Sequence, residues 1–535
     1  MPPDSPTPPP RLLTAEIAAL RADLSVADYS SARIDELLGP VAAAALRREN
    51  AVPARRMLEP SVDPAAVLLR LFTLGAVLPR TQVQATLPTL GVDGASRLGL
   101  IGLAGPDSAD GAARPADAAR PTGEDPDASW QALVDLAPYS ASDDAGEIDW
   151  WIASDRSELA TGAPLGLEHV LGVGGASLTL SRITPREPVR RVLDLGCGGG
   201  IQALHASRHA EHVVATDLSE RALGFAAFNA ALNGIELELR QGSLWDPVRG
   251  DTFDLIVSNP PFVITPRAAG ETTWTYRDGG RAGDTLLAEL LRDLPAHLAP
   301  GGSAVMLGNW EIRDGEGWDT HPRAWMEPAT ADGVDAWVLQ REQEDPAQYA
   351  ETWVRDGGVT SRDERWPALT GAWLDDFASR DVEAIGFGYL LLRRPEHASA
   401  RTGVLRTELA PGTGSGSLAT HLTASLRSLA ALEDLDDEAL AASRPVRADD
   451  VIEHRHLTPG EWDPMLIELV QGAGFARVVR ADQLLAATVG ALDGSLTLGQ
   501  VLGAVCALTD LDEDEARARA LPAVRELLTT QMVTL

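Results

Sequence analysis

Between Val192 and Gly200 the chain reads Val-Leu-Asp-Leu-Gly-Cys-Gly-Gly-Gly, an apolar strand running into a glycine turn. Glycines at 196, 198 and 200 permit close backbone approach to a ligand, because no Cβ stands in the way, and Ile201–Arg208 then reads as a helix. Strand, glycine turn and helix in that order suit a nucleotide-like cofactor. The dinucleotide fingerprint asks for a small residue at its sixth position, where this chain has Ile201. A second segment, Ser258-Asn-Pro-Pro-Phe262, closes a later strand run. Asn-Pro and Pro-Pro are common breakers, so a plain turn would account for it. Its place at the C-terminal end of a strand in an open α/β sheet is also where ligands bind.

With Asp194 ahead of the glycines, the first segment resembles the D-x-G-x-G-x-G loop of class I S-adenosylmethionine-dependent methyltransferases. Asn259-Pro-Pro-Phe262 resembles the [DNS]-P-P-[FYW] tetrapeptide of those members that methylate a planar, conjugated nitrogen. Together they resemble the N5-glutamine methyltransferases of peptide-chain release factors and related RNA N-methyltransferases, over roughly residues 170–310 plus the strand at Tyr389. The resemblance implies S-adenosylmethionine as cofactor, no metal, and in-line methyl transfer without a covalent enzyme intermediate. It places Asp194, Gly196, Gly198 and Gly200 against the cofactor, with Asp217 accepting hydrogen bonds from the ribose hydroxyls and Leu218 beside it. Asp217 also has a structural reading, as N-cap of the helix that follows. Ser243 stands where the family often carries an aspartate for the adenine amino group, and Leu244 would flank the ring. The Asn259 side-chain oxygen and the Pro260 carbonyl would accept hydrogen bonds from the acceptor NH2, orienting a nitrogen whose lone pair is otherwise delocalised. Pro261 would stiffen the loop, and Phe262 would offer a flat stacking face. Leu171-Gly-Val-Gly-Gly-Ala-Ser177 lies where the family closes over the methionine end of the cofactor. Tyr276-Arg-Asp-Gly-Gly280, with Gly283, would be a lid or a plain glycine turn.

Seven apolar runs must position these residues: Arg191–Leu195, Val213–Thr216, Leu237–Arg240, Leu255–Ser258, Ala304–Leu307, Ala336–Leu339 and Tyr389–Leu392. They alternate with helical stretches, which predicts an α/β fold. The resemblance makes it the Rossmann-like seven-stranded methyltransferase sheet. Residues 156–394 are expected to form this domain, with a Trp-rich insertion at 311–383 whose tryptophans are core residues for the most part, a subset lining an acceptor pocket being the lesser reading. Residues 1–10 read as a disordered Pro-rich tail and 11–155 as a helical, winged-helix-like domain carrying a flexible insertion at 105–129. The two runs Ala132–Leu136 and Ile148–Ala153 are taken as its ribbon. Residues 395–417 read as a linker, and 418–535 as a second helical, winged-helix-like domain. His205, His209 and His212 are read as a solvated helix face, and Cys197 as space-filling.

The 535-residue chain holds 78 acids against 45 bases, none of them lysine, for a net charge of −33. That balance argues against broad nucleic-acid affinity, which rests on basic side chains neutralising phosphates. No apolar run is long enough for a membrane span and no secretory signal is legible, so a cytoplasmic protein is expected. The favoured function is methylation of a protein glutamine. RNA adenine N6 or guanine N2 is the alternative, through an arginine face at Arg267, Arg277 and Arg281. A catalytically silent cofactor-binding module is the reading from another class.

Overall fold

The computed structural model describes residues 7–104, 128–267, 280–397, 402–433 and 435–535. Most of the expected insertion at 105–129, and residues Tyr276–Gly279 of the expected lid, lie outside this set. The chain divides into two compact units, one comprising 1–181, 188–290 and 344–385, the other 182–187, 291–343 and 386–535.

The expected α/β architecture is present as an eight-stranded sheet. Its strands in chain order are β1 (Val189–Leu195), β2 (Ala210–Asp217), β3 (Glu238–Gln241), β4 (Phe253–Ser258), β5 (Leu298–Arg313), β6 (Asp335–Glu344), β7 (Val382–Arg393) and β8 (Leu405–Leu409). Each of the seven predicted runs falls on a strand. In the first unit β4, β1, β2 and β3 lie side by side and parallel, with Leu193 opposite both Val214 and Ile256. β1 thus has β2 on one flank and β4 on the other, which creates a crevice at the carboxyl ends of β1 and β4. The eighth strand, β8, lies in the stretch read as a linker and pairs parallel with β6, Leu405 opposite Ala336. Its Leu-Arg-Thr-Glu-Leu sequence is only half-buried, so it lacks the apolar run by which the buried strands announce themselves.

Helix α1 (Ile201–Ala206) follows β1, and helix α2 (Glu220–Asn233) follows β2. Residues Asp135–Asp143 and Gly146–Ser154 form an antiparallel hairpin, Tyr139 opposite Trp150. The sequence took these two strands as the ribbon of a winged helix; the helices Pro64–Phe72, Arg80–Thr86 and Gly91–Leu98 also have a separate antiparallel sheet beside them, of Leu78–Pro79, Ile101–Leu103 and Ser129–Ala132. The hairpin lies between two layers. Tyr139 and Ile152 are buried with Leu204 and Ala230, while Leu136 and Ala153 join the core of the N-terminal helices. There Tyr29 donates to the Leu136 carbonyl at 2.9 Å and Trp151 donates to the Tyr29 carbonyl at 2.7 Å. Two asparagines one helical turn apart on α2 hold its backbone. Asn229 accepts from the Ala153 amide at 2.7 Å and donates to its carbonyl at 3.0 Å, and Asn233 does the same for Trp151 at 3.1 and 2.9 Å. His205 is buried here, its Nε2 2.8 Å from the Tyr139 hydroxyl, so it is no solvated residue. Thr7–Pro10, read as tail, is packed too: Arg221 donates to the Thr7 carbonyl at 2.7 Å, and a Cβ added at Gly224 would lie 2.5 Å from Pro9.

In the second unit residues 418–535 are not wholly helical. Val451–Leu457, Pro464–Gln471 and Val478–Ala481 form an antiparallel sheet, while helices Leu498–Thr509 and Glu513–Thr529 bury Leu502, Cys506 and Val524 in a core of their own.

Candidate active site

The crevice opens into a cavity of about 2210 Å³. Asp194, Gly196, Gly198, Asp217, Leu218, Ser243, Leu244, Asn259, Pro260, Pro261 and Phe262 all line it. The same cavity is bordered by the Leu171–Ser177 segment, which Gln202 anchors by donating to the Ser177 carbonyl at 2.7 Å. Gly200 is the one described cofactor candidate that does not line the cavity. It precedes α1 at φ 87°, and a Cβ there would meet the Ala226 Cβ at 3.0 Å, so its small size serves helix packing.

The glycine turn is held from both sides. The amides of Gly196 and Cys197 donate to the Thr216 carbonyl at 2.9 Å each, and the Gly199 carbonyl accepts from Asn229 at 2.9 Å. Asn229 was not legible as a site residue. Its one signal is an asparagine in the middle of a helix, where such a side chain usually pairs elsewhere. Gly196 and Gly198 have φ of 75° and 53°, and an added Cβ would meet nothing within 4 Å at either. Their open faces leave a bare backbone wall for a ligand.

Asp194 is buried at the end of β1 and accepts from the Ala203 amide at 2.9 Å. Burial raises its pKa to about 7, with that hydrogen bond opposing the shift. Asp217 ends β2 and accepts from the Gly198 amide at 2.9 Å and the Ser219 amide at 2.8 Å. Burial raises its pKa as well, against those two amides. It is not the cap of α2, because Ser219 fills that position and accepts from Ala222. The Cys197 thiol is buried and pushed well up by burial, which makes it a poor nucleophile.

At the end of β4 the Ser258 hydroxyl donates to the Leu195 carbonyl at 2.7 Å, tying the Asn-Pro-Pro-Phe loop to the glycine turn. The Asn259 Oδ1 is buried and has no hydrogen-bond partner among the described residues. A buried acceptor left open in a cavity wall is costly unless a ligand supplies the donor. Trp310 and Trp337 are fully buried, as expected of core residues, whereas Trp353 lines the cavity. Of the expected arginine face, Arg281 pairs with Glu289 at 3.0 Å, and Arg267 donates to the Arg281 carbonyl at 2.6 Å. Arg277 lies outside the described residues.

Four parallel strands with a glycine turn after β1, an acid ending β2 and a polar Pro-Pro loop after β4 form the arrangement of a class I S-adenosylmethionine-dependent methyltransferase. Residues 173–313 match the family described as methyltransferase small domain, and residues 26–113 match a domain of unknown function, DUF7059. The ribosomal protein uL3 glutamine methyltransferase of Bradyrhizobium diazoefficiens is 32% identical over 177 residues, 31% of this chain and 55% of that protein. A release factor glutamine methyltransferase of Cereibacter sphaeroides is 41% identical over 132 residues, 22% and 47% of the two chains. The ribosomal RNA small subunit methyltransferase C of Alcanivorax borkumensis is 28% identical over 122 residues, 23% and 33% of the two. The chain spans about half the length of the curated glutamine methyltransferases it matches.

Proposed function

We propose that the protein transfers the methyl group of S-adenosylmethionine to the side-chain amide nitrogen of a glutamine in a protein of the translation apparatus. The observation that carries this reading is the buried, open Asn259 Oδ1, set beside the glycine turn in one cavity. The residues fit the cofactor: a bare wall at Gly196 and Gly198, and an acid at Asp217 placed for a ribose diol. When bound, S-adenosylmethionine supplies an electrophilic methyl on a sulfonium centre. Asn259 Oδ1 and the Pro260 carbonyl accept the two N–H groups of the acceptor amide and turn its nitrogen toward that methyl. Phe262 stacks on the planar group. The proton lost from the methylated nitrogen passes to water reaching the cavity, so no side chain need be a strong base.

Glutamine is favoured over an RNA base on two grounds. Relatives named as glutamine methyltransferases are 32–41% identical to this chain, against 28–31% for those named as ribosomal RNA methyltransferases. Also, Arg267 and Arg281, which would have to meet phosphates, are already engaged within the chain. A substrate in translation would place the protein in the cytoplasm. No helix among the described residues is long and apolar enough to cross a membrane. The test is transfer of tritiated methyl into cell lysate, followed by RNase or protease. Label released by protease supports the proposal; label that resists protease and vanishes with RNase overturns it.

A further inference from the structure

The helix Pro346–Asp356 lies in the insertion at 311–383, outside the segment that matches the methyltransferase family, yet it reaches the site. The loop after Asn259 contains two prolines, which have no N–H and so cannot be tethered by donation. Further along, the buried Ile264 amide donates to the Tyr349 hydroxyl at 3.0 Å. The Tyr349 ring is fully buried, with ring centres of Trp353, Trp373 and Phe377 at 6.0, 5.8 and 5.7 Å. Its hydroxyl is therefore a fixed point. The loop is anchored at its start by Ser258 on Leu195 and at its far end by Tyr349, with Asn259 to Phe262 between the two. One turn beyond Tyr349, Trp353 lines the cavity together with Phe262, and Asp356 lies on the same helix face at the next turn.

We propose that this helix forms the acceptor wall: Tyr349 is a positioning residue for the Asn-Pro-Pro-Phe loop, and Trp353 is a contact that selects the acceptor. The proposal rests on the methyltransferase reading above and assigns it a specificity element. Tyr349→Phe removes only the hydroxyl, leaving the Ile264 amide without its acceptor and the loop free to shift. Trp353→Ala removes wall area and leaves the tether in place.

The experiment titrates lysate protein as acceptor against tritiated S-adenosylmethionine, giving a maximal rate and an apparent KM, with cofactor Kd from calorimetry and folding from thermal melts. Tyr349→Phe is expected to lower the maximal rate about tenfold, with apparent KM and cofactor Kd within twofold of the parent. Trp353→Ala is expected to raise apparent KM at least fivefold, with cofactor Kd unchanged. A Tyr349→Phe protein that melts lower but keeps the parent's maximal rate overturns the positioning role. An unchanged apparent KM in Trp353→Ala overturns the acceptor contact. Absence of transfer by the parent protein itself would instead defeat the functional reading, so the two failures are distinct. Amide exchange over residues 259–266 then still reads the tether, which faster exchange in Tyr349→Phe supports and unchanged exchange overturns.

Discussion

The Asp194 carboxyl and the Asn259 Oδ1 are both buried polar groups, but their environments ask different things of them. Asp194 has a satisfied hydrogen bond and a raised pKa of about 7, so the folded protein keeps its proton at pH values where an unfolded chain has lost it. Between about pH 4 and 7 the folded state therefore binds more protons than the unfolded one, and stability falls as pH rises through that window, then levels off. Denaturant titrations of the cofactor-free protein should show this slope, and Asp194→Asn should reduce it, Asp135 and Asp217, whose pKa values burial also raises, supplying the rest. Asn259 lines the cavity and keeps a buried Oδ1 without a partner among the described residues. Asn259→Ala is expected to leave cofactor binding intact by calorimetry while lowering methyl transfer by roughly 10²-fold, the scale typical of losing one oriented polar group at a reacting centre. Asp217→Ala should show the converse, a cofactor Kd weakened at least tenfold, since hydrogen bonds to a charged group contribute about 1.5–3 kcal/mol each.

The glycine turn shows how an element divides work among similar residues. Gly196 and Gly198 face the cavity, while Gly200 turns the chain into α1 against Ala226. Gly200→Ala is expected to destabilise the fold by about 1–3 kcal/mol, through its positive φ and the close Ala226 contact, as read from chemical denaturation. Gly198→Arg should cost about 1–2 kcal/mol through its φ of 53° yet still fold, and fail to bind cofactor, because the side chain enters open cavity space. Within this element the sequence was nearly transparent: strand, turn and the acid after β2 follow from local pattern. The hairpin at 135–154 was not, because an alternating ribbon looks alike whether it closes a winged helix or docks on α2. Its two partners are decided by distant residues, Asn229 and Asn233 reaching across from 76 and 82 residues away on one side and Tyr29 from 107 and 122 residues away on the other.

Across the first unit the N-terminal residues contribute more than a tail would. Arg221 holds the Thr7 carbonyl and forms an ion pair with Asp155, while Pro9 packs against Gly224. Deletion of residues 1–10 is therefore expected to lower the melting temperature and the m-value-derived stability by about 1–3 kcal/mol, an effect Arg221→Ala should partly reproduce. The net charge of −33 gives a poor account of the site, beside which Arg267 and Arg281 are spent on internal partners. By itself the sequence determined the α/β sheet and the family of the loop residues, because buried parallel strands and glycine turns are local patterns with few alternatives. Tertiary structure alone decided which distant segments complete the cavity. The Tyr349 tether on Ile264 spans 85 residues, and β8 depends on an edge of β6 that its own polar sequence does not announce. Such pairings are set by what each surface finds when the chain closes, and no short window of residues encodes that.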